Sequence, residues 1–483
     1  MPSIDVAELL AARAGEEMEL NERHLNPQLG RVLRTLGFDR GWRGGEGAHL
    51  IDADGERYLD MVGGFGVFAV GRNNAAVRAQ LEAALAADTA NLPQIGVTLL
   101  AGVLAEQLLA RAPSSLGAVI LSNSGAESVE AAIKLARGAT GRMRILFCEH
   151  GFHGLTNGAL SLNGNPEFRE GFGPLLPGCE PVPFGELDAL ERAFAEGDVA
   201  AFVVEPVQGK GVHLPPEGYL EGAQALCRRE GALFIADEVQ TGLGRTGRMF
   251  ACEHWGLEPD VLTVSKALSG GYVPIGATLA RREVFDAVFD SMERAVVHSS
   301  TFATNDLAAA AGIATLAELD DAGIVGRARA SGELLLELTR PLVERYEIVR
   351  EVRGLGLLWA LELGPPESRG ARALWRAVES YQPGLFAQLV TVPLFHEHRI
   401  LIQVAGHHTN VVKAIPPLVV EEADLHRFAQ ALDDVLGRAE PLFGATARLG
   451  LTLGRRALTG RRARGNGHDR VAQSRWPDAR SSA

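Results

Sequence analysis

The chain has 483 residues, 46% of them hydrophobic, with 56 glycines, 23 prolines and a formal net charge of −13. This is the composition of a soluble globular protein of two or three domains with a large core, and its acidic balance offers no footprint for nucleic acid on the body of the molecule. Four scattered cysteines, with no CxxC spacing, argue against a disulfide framework or a zinc site and suit a reducing cytoplasm.

The N-terminal stretch "MPSIDVAELLAARAGEEMEL" is amphipathic and acidic, without the apolar core of a signal peptide. No uninterrupted apolar run approaches the length of about 18 residues expected of a membrane span. The segment "GAHLIDADGERYLDMVGG" predicts a hairpin turning at Asp54–Gly55 and packing with the C-terminal part of the chain. From about Leu99 to Ala280 short apolar runs alternate with helical periods. "AVILSN", "RILFCEH", "AAFVVEPV", "ALFIADEV" and "DVLTVSKA" read as strands, and "ESVEAAIKLARGA" reads as a helix. That alternation predicts an α/β fold with a mostly parallel sheet covered by helices, its site beyond the carboxyl ends of the strands. From about Ser331 the pattern changes to a long helix, "SGELLLELTRPLVERY", then the short strands "GLLWALEL", "ILIQVA" and "VVKAIPPLVV" and a closing helix. The expected division is therefore an N-terminal segment (1–60), a large domain (61–330), a smaller α+β domain (331–440) and a tail (441–483).

Polar clusters stand where the predicted strands end: "SNSGAE", "EHGFHG", "EPVQGKG", "DEVQTG" and "SKALSGG". Ser124, Gly125, Ala126 and Glu127 open a helix, with Ser124 and Glu127 at capping-box spacing. Small residues there admit an anion to the free N–H groups, although an ordinary capped helix has the same signature. Asp237 follows a buried strand, where an unpaired carboxylate is expensive. It serves either as partner to a buried donor or as counter-ion to a protonated heterocycle. Only four of the 47 basic residues are lysines (Lys134, Lys210, Lys266 and Lys413), so arginine was used wherever positive charge alone sufficed. Lys266, after another buried strand, is placed to lose its proton and attack a carbonyl, which arginine cannot do. An anion cradle, a buried Asp and a buried Lys together match the needs of pyridoxal phosphate.

With these motifs in order, the chain resembles the class III (ω-) aminotransferases, pyridoxal-phosphate enzymes of fold type I. The likeness runs from about Asn26 to Ala439 and rests on "SGAESVEAAIKLAR", "FHG", "EPVQG", "IADEVQTGLGRTG", "SKALSGG" and "STFATN". It implies that Ser124, Gly125 and Ala126 bind the phosphate, Phe152 stacks on the ring, Asp237 pairs with the ring nitrogen and Gln240 lies near the ring hydroxyl. Lys266 is then the Schiff-base lysine, and His153 and Glu205 fall on cofactor-site positions. Thr301 matches a phosphate ligand given by a neighbouring subunit, so the resemblance implies a homodimer with shared sites. "DMVGGFGVFAVGRN", "LPPEGYL" and "RMFACEH" are most similar to the diamine-specific branch, in which Gly66, Val67 and Phe68 would line the substrate channel. The implied reaction moves a terminal amine to a keto acid such as 2-oxoglutarate by ping-pong half-reactions. Acetylornithine, ornithine or 4-aminobutyrate as donor, and a larger lipid- or polyol-linked aldehyde as acceptor, stand as alternatives. An aminomutase or decarboxylase would use the same cofactor apparatus.

One departure concerns the substrate end. Many members carry Glu and Arg where this chain has Lys210 and Lys413, and two lysines cannot form that switch or a bidentate clamp. Either the carboxylate is held elsewhere, or the substrate carries an added anionic or hydroxylated end. The tail, with nine Arg against Asp469 and Asp478, reads as a solvated extension or, through Leu449, Leu451, Leu453 and Leu458 among its arginines, as a weak contact for an anionic membrane surface.

Overall fold

The computed structural model describes residues 4–438 except Ser368, His407 and His408, so the expectations for the Arg-rich tail lie outside the described residues. Its centre is a seven-stranded sheet. In chain order the strands of the molecule are β1 (Trp42–Glu46), β2 (His49–Asp52), β3 (Arg57–Asp60), β4 (Ala118–Ser122), β5 (Arg144–Cys148), β6 (Cys179–Val182), β7 (Val199–Val204), β8 (Leu233–Asp237), β9 (Val261–Val264), β10 (Gly276–Ala280), β11 (Val349–Leu355), β12 (Leu358–Leu363), β13 (Ile400–Leu401), β14 (Gln403–Val404) and β15 (Val411–Ala414). The large sheet runs β4-β10-β9-β8-β7-β5-β6. All its pairings are parallel except those of β10, which is antiparallel to both β4 and β9.

The five strands expected from sequence form in this sheet. β6 and β10 were not legible: "CEPV" carries a proline and "GATLA" has no β-branched run, so neither has a strand signature of its own. Both form because an edge or a gap in an existing sheet supplies their hydrogen-bond partners. Strands β7 and β9 are buried along their whole length, as a sheet covered on both faces requires.

The hairpin around Asp54–Gly55 is present as β2 and β3, joined by β1 and, in parallel, by β13 from the C-terminal region. A third sheet runs β11-β12-β15-β14. The helix expected from Ser331 begins earlier, at Ile324, and ends at Thr339. A second helix starts at Pro341, because proline fits a first helical position but removes a donor from a helix interior. The expected boundary at residue 331 thus falls inside one helix.

Two contacts position the third sheet over the large one. The turn between β11 and β12 rests on the loop after β8, where Leu357 N donates to Arg245 O at 3.0 Å. Arg245 Nη1 in turn donates to Leu357 O at 3.0 Å and Pro416 O at 2.6 Å. The helix Ile324–Thr339 presses on the same turn through Gly332, where an added Cβ would lie 2.1 Å from Gly356 O. Gly332→Ala is therefore expected to destabilise the fold by about 2 kcal/mol or more. The check is the urea midpoint, with Gly326→Ala, on the same helix with nothing within 4 Å, as the control that moves little.

Candidate active site

The motif clusters meet at the carboxyl ends of β4, β5, β7, β8 and β9. β4 leads into the helix Gly125–Thr140, whose N-cap Ser124 accepts the Glu127 N–H at 3.2 Å. Glu127 reaches back to Asn123 N at 2.8 Å and Nδ2 at 2.9 Å, one residue short of the cap's own N–H that a capping box would use. Among the described residues the N–H groups of Gly125 and Ala126 have no partner, as expected of a first helical turn. A Cβ on Gly125 would lie 2.7 Å from Val239 Cγ1 and 3.4 Å from Ser265 Cβ. Glycine here lets the helix start pack against the loops after β8 and β9, leaving its N–H groups open to an anion.

Asp237 closes β8 and is 2% exposed. Its Oδ1 accepts from Thr263 Oγ1 at 2.8 Å and Val239 N at 3.1 Å, and its Oδ2 accepts from His153 Nδ1 at 2.6 Å. A carboxylate has about four lone-pair sites, so one remains for a further donor. His153 is buried, and its Nε2 has no partner. Burial alone would lower its pKa, but the bond to Asp237 and the charges of Asp237 and Glu205 outweigh it and raise the pKa above 6.5. The expected set thus gains two members. Thr263 was missed although a hydroxyl inside the apolar run "VLTV" was its signal. Val239 was missed because a valine carries no chemical signature.

Glu205, after β7, accepts from Phe152 N at 2.9 Å and Gly209 N at 2.7 Å. It ties the loop after β5 to the turn after β7, and burial raises its pKa despite the nearby His153. Phe152 meets Phe168 edge-on at 5.6 Å. Lys266 opens a short 3₁₀ helix after β9. Its amine enters no hydrogen bond among the described residues, and desolvation lowers its pKa although Asp237 and Glu205 pull the other way. An unpartnered amine whose charge is disfavoured, with two carboxylates nearby, can act as nucleophile and as proton carrier.

At the far end Lys413, on β15 and 5% exposed, donates to Gly209 O and to Gln240 Oε1. Gln240 Nε2 donates to Phe65 O at 3.2 Å. Phe65, not singled out in the sequence, thus joins the site through its backbone, as φ 62° turns the chain there. Gly66 is buried near Arg245 Nη2, and Val67 is half-buried. The Phe68 ring lies under the Arg72 guanidinium at 4.0 Å and packs on Gly271, whose added Cβ would sit 2.4 Å away. Lys210 lies 4.0 Å from the Phe168 ring centroid and 3.5 Å from Glu167 Oε1. Thr301 is exposed and its carbonyl accepts from Gln94 Nε2 at 3.4 Å, while the neighbouring Ser300 Oγ accepts from Asn123 Nδ2 at 2.7 Å, next to the N-cap of the cradle helix.

The His153–Asp237 pair yields a prediction. In a histidine-ring NMR titration His153 should show a midpoint above 6.5, its charged form favoured by Asp237. Asp237→Asn removes that charge and leaves only Glu205 to oppose burial, so the midpoint should fall; a midpoint that ignores the substitution would mean another group holds the imidazolium.

The description "Aminotransferase class-III" matches residues 41–436. The chain is 39% identical over 442 residues to a putrescine aminotransferase of Pectobacterium atrosepticum, covering 88% of this chain and 90% of that protein. It is 35% identical over 461 residues to the aminotransferase PigE of Serratia sp. (strain ATCC 39006), covering 88% of this chain but spanning only 54%, about half, of that longer protein. Among solved structures, an amine transaminase from an uncultivated Pseudomonas species, in its PLP-bound form, matches with TM-score 0.73 and 31% identity over 83% of this chain and 95% of the other. The ornithine aminotransferase of Toxoplasma gondii matches with TM-score 0.74 and 29% identity over 88% and 99%. The chain belongs to the class III aminotransferases, a pyridoxal-phosphate-dependent family of fold type I.

Proposed function

We propose that this protein transfers a terminal amino group from a diamine or ω-amino compound to a keto acid such as 2-oxoglutarate, in ping-pong half-reactions centred on Lys266. The observation that carries the reading is the unpartnered, desolvated Lys266 amine enclosed with Asp237 and Glu205. The likeness to a putrescine aminotransferase over 90% of its length supports a terminal amine as donor.

The residues present fit pyridoxal phosphate. Gly125 and Ala126 would hold its phosphate on free N–H groups, Val239 and Phe152 would flank its ring, and the remaining lone pair of Asp237 would take its ring N–H. When bound, the cofactor supplies a carbonyl for amine exchange and a ring that accepts the electron pair of a breaking Cα–H bond. The Thr263 hydroxyl, the Val239 N–H and the His153 Nδ1 all point donors at Asp237, and its remaining lone pair would be the acceptor for a proton on the bound ring. Lys266 Nζ, its charge disfavoured by burial, takes the proton from the substrate carbon and returns it one step later. Glu205 keeps the Phe152 loop in place through the Phe152 N–H.

A homodimer with shared sites belongs to the same proposal. Thr301 and Phe302 are exposed, as are Ile95, Val97 and Leu99, and a cluster of this kind is what a subunit interface covers. A second reading, amination of a larger aldehyde with an anionic or hydroxylated end, is favoured by Lys210 at the substrate end.

The first test is visible spectroscopy of the protein after addition of cofactor. A band that bleaches when a diamine is added without keto acid supports the proposal, and Lys266→Ala should lose both the band and at least about 10²-fold in turnover. A wild-type protein that forms no band would sink the assignment of Lys266. Lys210→Glu, which reverses a charge 5.8 Å from the Phe152 ring centroid, should change the ranking of amine donors; an unchanged ranking removes the second reading.

A further inference from the structure

We propose that Lys413 is a positioning residue that fixes the amide of Gln240, rather than a ligand for a substrate carboxylate. The inference rests on the reading that Lys266 carries the cofactor.

The geometry is specific about direction. Lys413 sits on β15, paired with Ala360 of β12 and Gln403 of β14, so its stem rises from a strand bonded on both sides. A lysine ammonium only donates. Its Nζ donates to Gln240 Oε1 at 2.6 Å and also to Gly209 O. The oxygen of Gln240 must therefore face Lys413, since a flipped amide would set N–H against the ammonium. Of the two amide hydrogens, one goes to Phe65 O at 3.2 Å. The other has no partner among the described residues, and Gln240 is half-exposed, bonded to the Lys413 amine on which Lys266 acts electrostatically. Gln240 is thereby made a donor toward whatever is bound beside it.

The same contacts weaken the alternative. Two of the three N–H bonds of Lys413 are already taken by protein carbonyls, and its single ammonium cannot reproduce a two-pronged grip on a carboxylate. The charged groups facing it are Lys266 and Arg245, which oppose its charge, and Glu205, which favours it. With burial acting first, its pKa is pushed down to about 7. Burial that disfavours its charge makes it a weak anchor for an anion, and two of its hydrogen bonds are already committed to Gln240 and Gly209.

The experiment uses the cofactor-loaded full chain and reads the pH midpoint of its visible band beside the KM for 2-oxoglutarate. Lys413→Met removes a cation near Lys266 and frees the amide. Both changes disfavour the deprotonated chromophore, so the midpoint should rise by about one unit, with the KM within about twofold of the parent. Lys413→Arg, which still donates to Gln240, should restore most of the midpoint. The shift caused by Lys413→Met should shrink when Gln240 is already Leu, since coupled residues are not additive. A KM raised tenfold or more with an unmoved midpoint would make Lys413 a carboxylate ligand and overturn the proposal. An undiminished shift in the Gln240→Leu background would overturn it too, because the effect would bypass Gln240. If Lys413→Met does not fold, Gln240→Leu alone must raise the midpoint for the proposal to stand. Failure of the wild-type band to form would strike the cofactor reading itself, a result distinct from all of these.

Discussion

A carboxylate at the end of a fully buried strand is the constraint on which this site depends. Asp237 is 2% exposed, and a carboxyl group buried to that degree is costly unless its oxygens find donors. Three donors converge on it, from Thr263 on β9, from Val239 in its own loop and from His153 after β5. The donors come from a neighbouring strand and two loops, so satisfying one carboxyl group also sets the loops after β5 and β8 against β9. The parallel sheet makes this possible, because neighbouring strands deliver their carboxyl ends to one edge. His153 shows which effect wins. Burial disfavours its imidazolium, but the hydrogen bond to Asp237 and the charges of Asp237 and Glu205 more than offset it.

The cations follow a complementary logic. Lys266, Lys413 and Arg245 share a region with Glu205, and each has its charge disfavoured mainly by burial. Arg245 carries no carboxylate partner among the described residues. It is held by the Leu357 and Pro416 carbonyls, and its pKa is pushed down to about 9. It fastens the loop after β8 to the small sheet that delivers Lys413. The amines are the two groups that can release a proton under ordinary conditions. That separates their chemistry from that of the guanidinium, and it gives physical content to the survival of lysine in so arginine-rich a chain.

Much of this was legible in the sequence because strong local signals coincide with it. Buried strands announce themselves as apolar runs, a helix start by Ser124 and Glu127, and the reactive groups by a carboxylate and an amine placed where charge is costly. β6, β10 and the early start of the helix at Ile324 were not legible. β6 and β10 depend on pairing with a sheet already present, and the helix start on the burial of Ile324 and Ala328 in the core, rather than on their own composition.

The sequence by itself determined the order of the strands and loops, the identity of the chemical groups and the substitution of two lysines at the substrate end. These are properties of residue type and spacing, and residue type and spacing are what a sequence contains. Only the tertiary structure decided that Thr263 and His153 hold Asp237, that Phe65 enters through its backbone, and that Lys413 spends its hydrogen bonds on Gln240 and Gly209. Direction of donation and competition for lone pairs are relations between residues 26, 84, 173 and 204 positions apart in the chain. They exist only once the sheet has brought those residues within about 3 Å of one another.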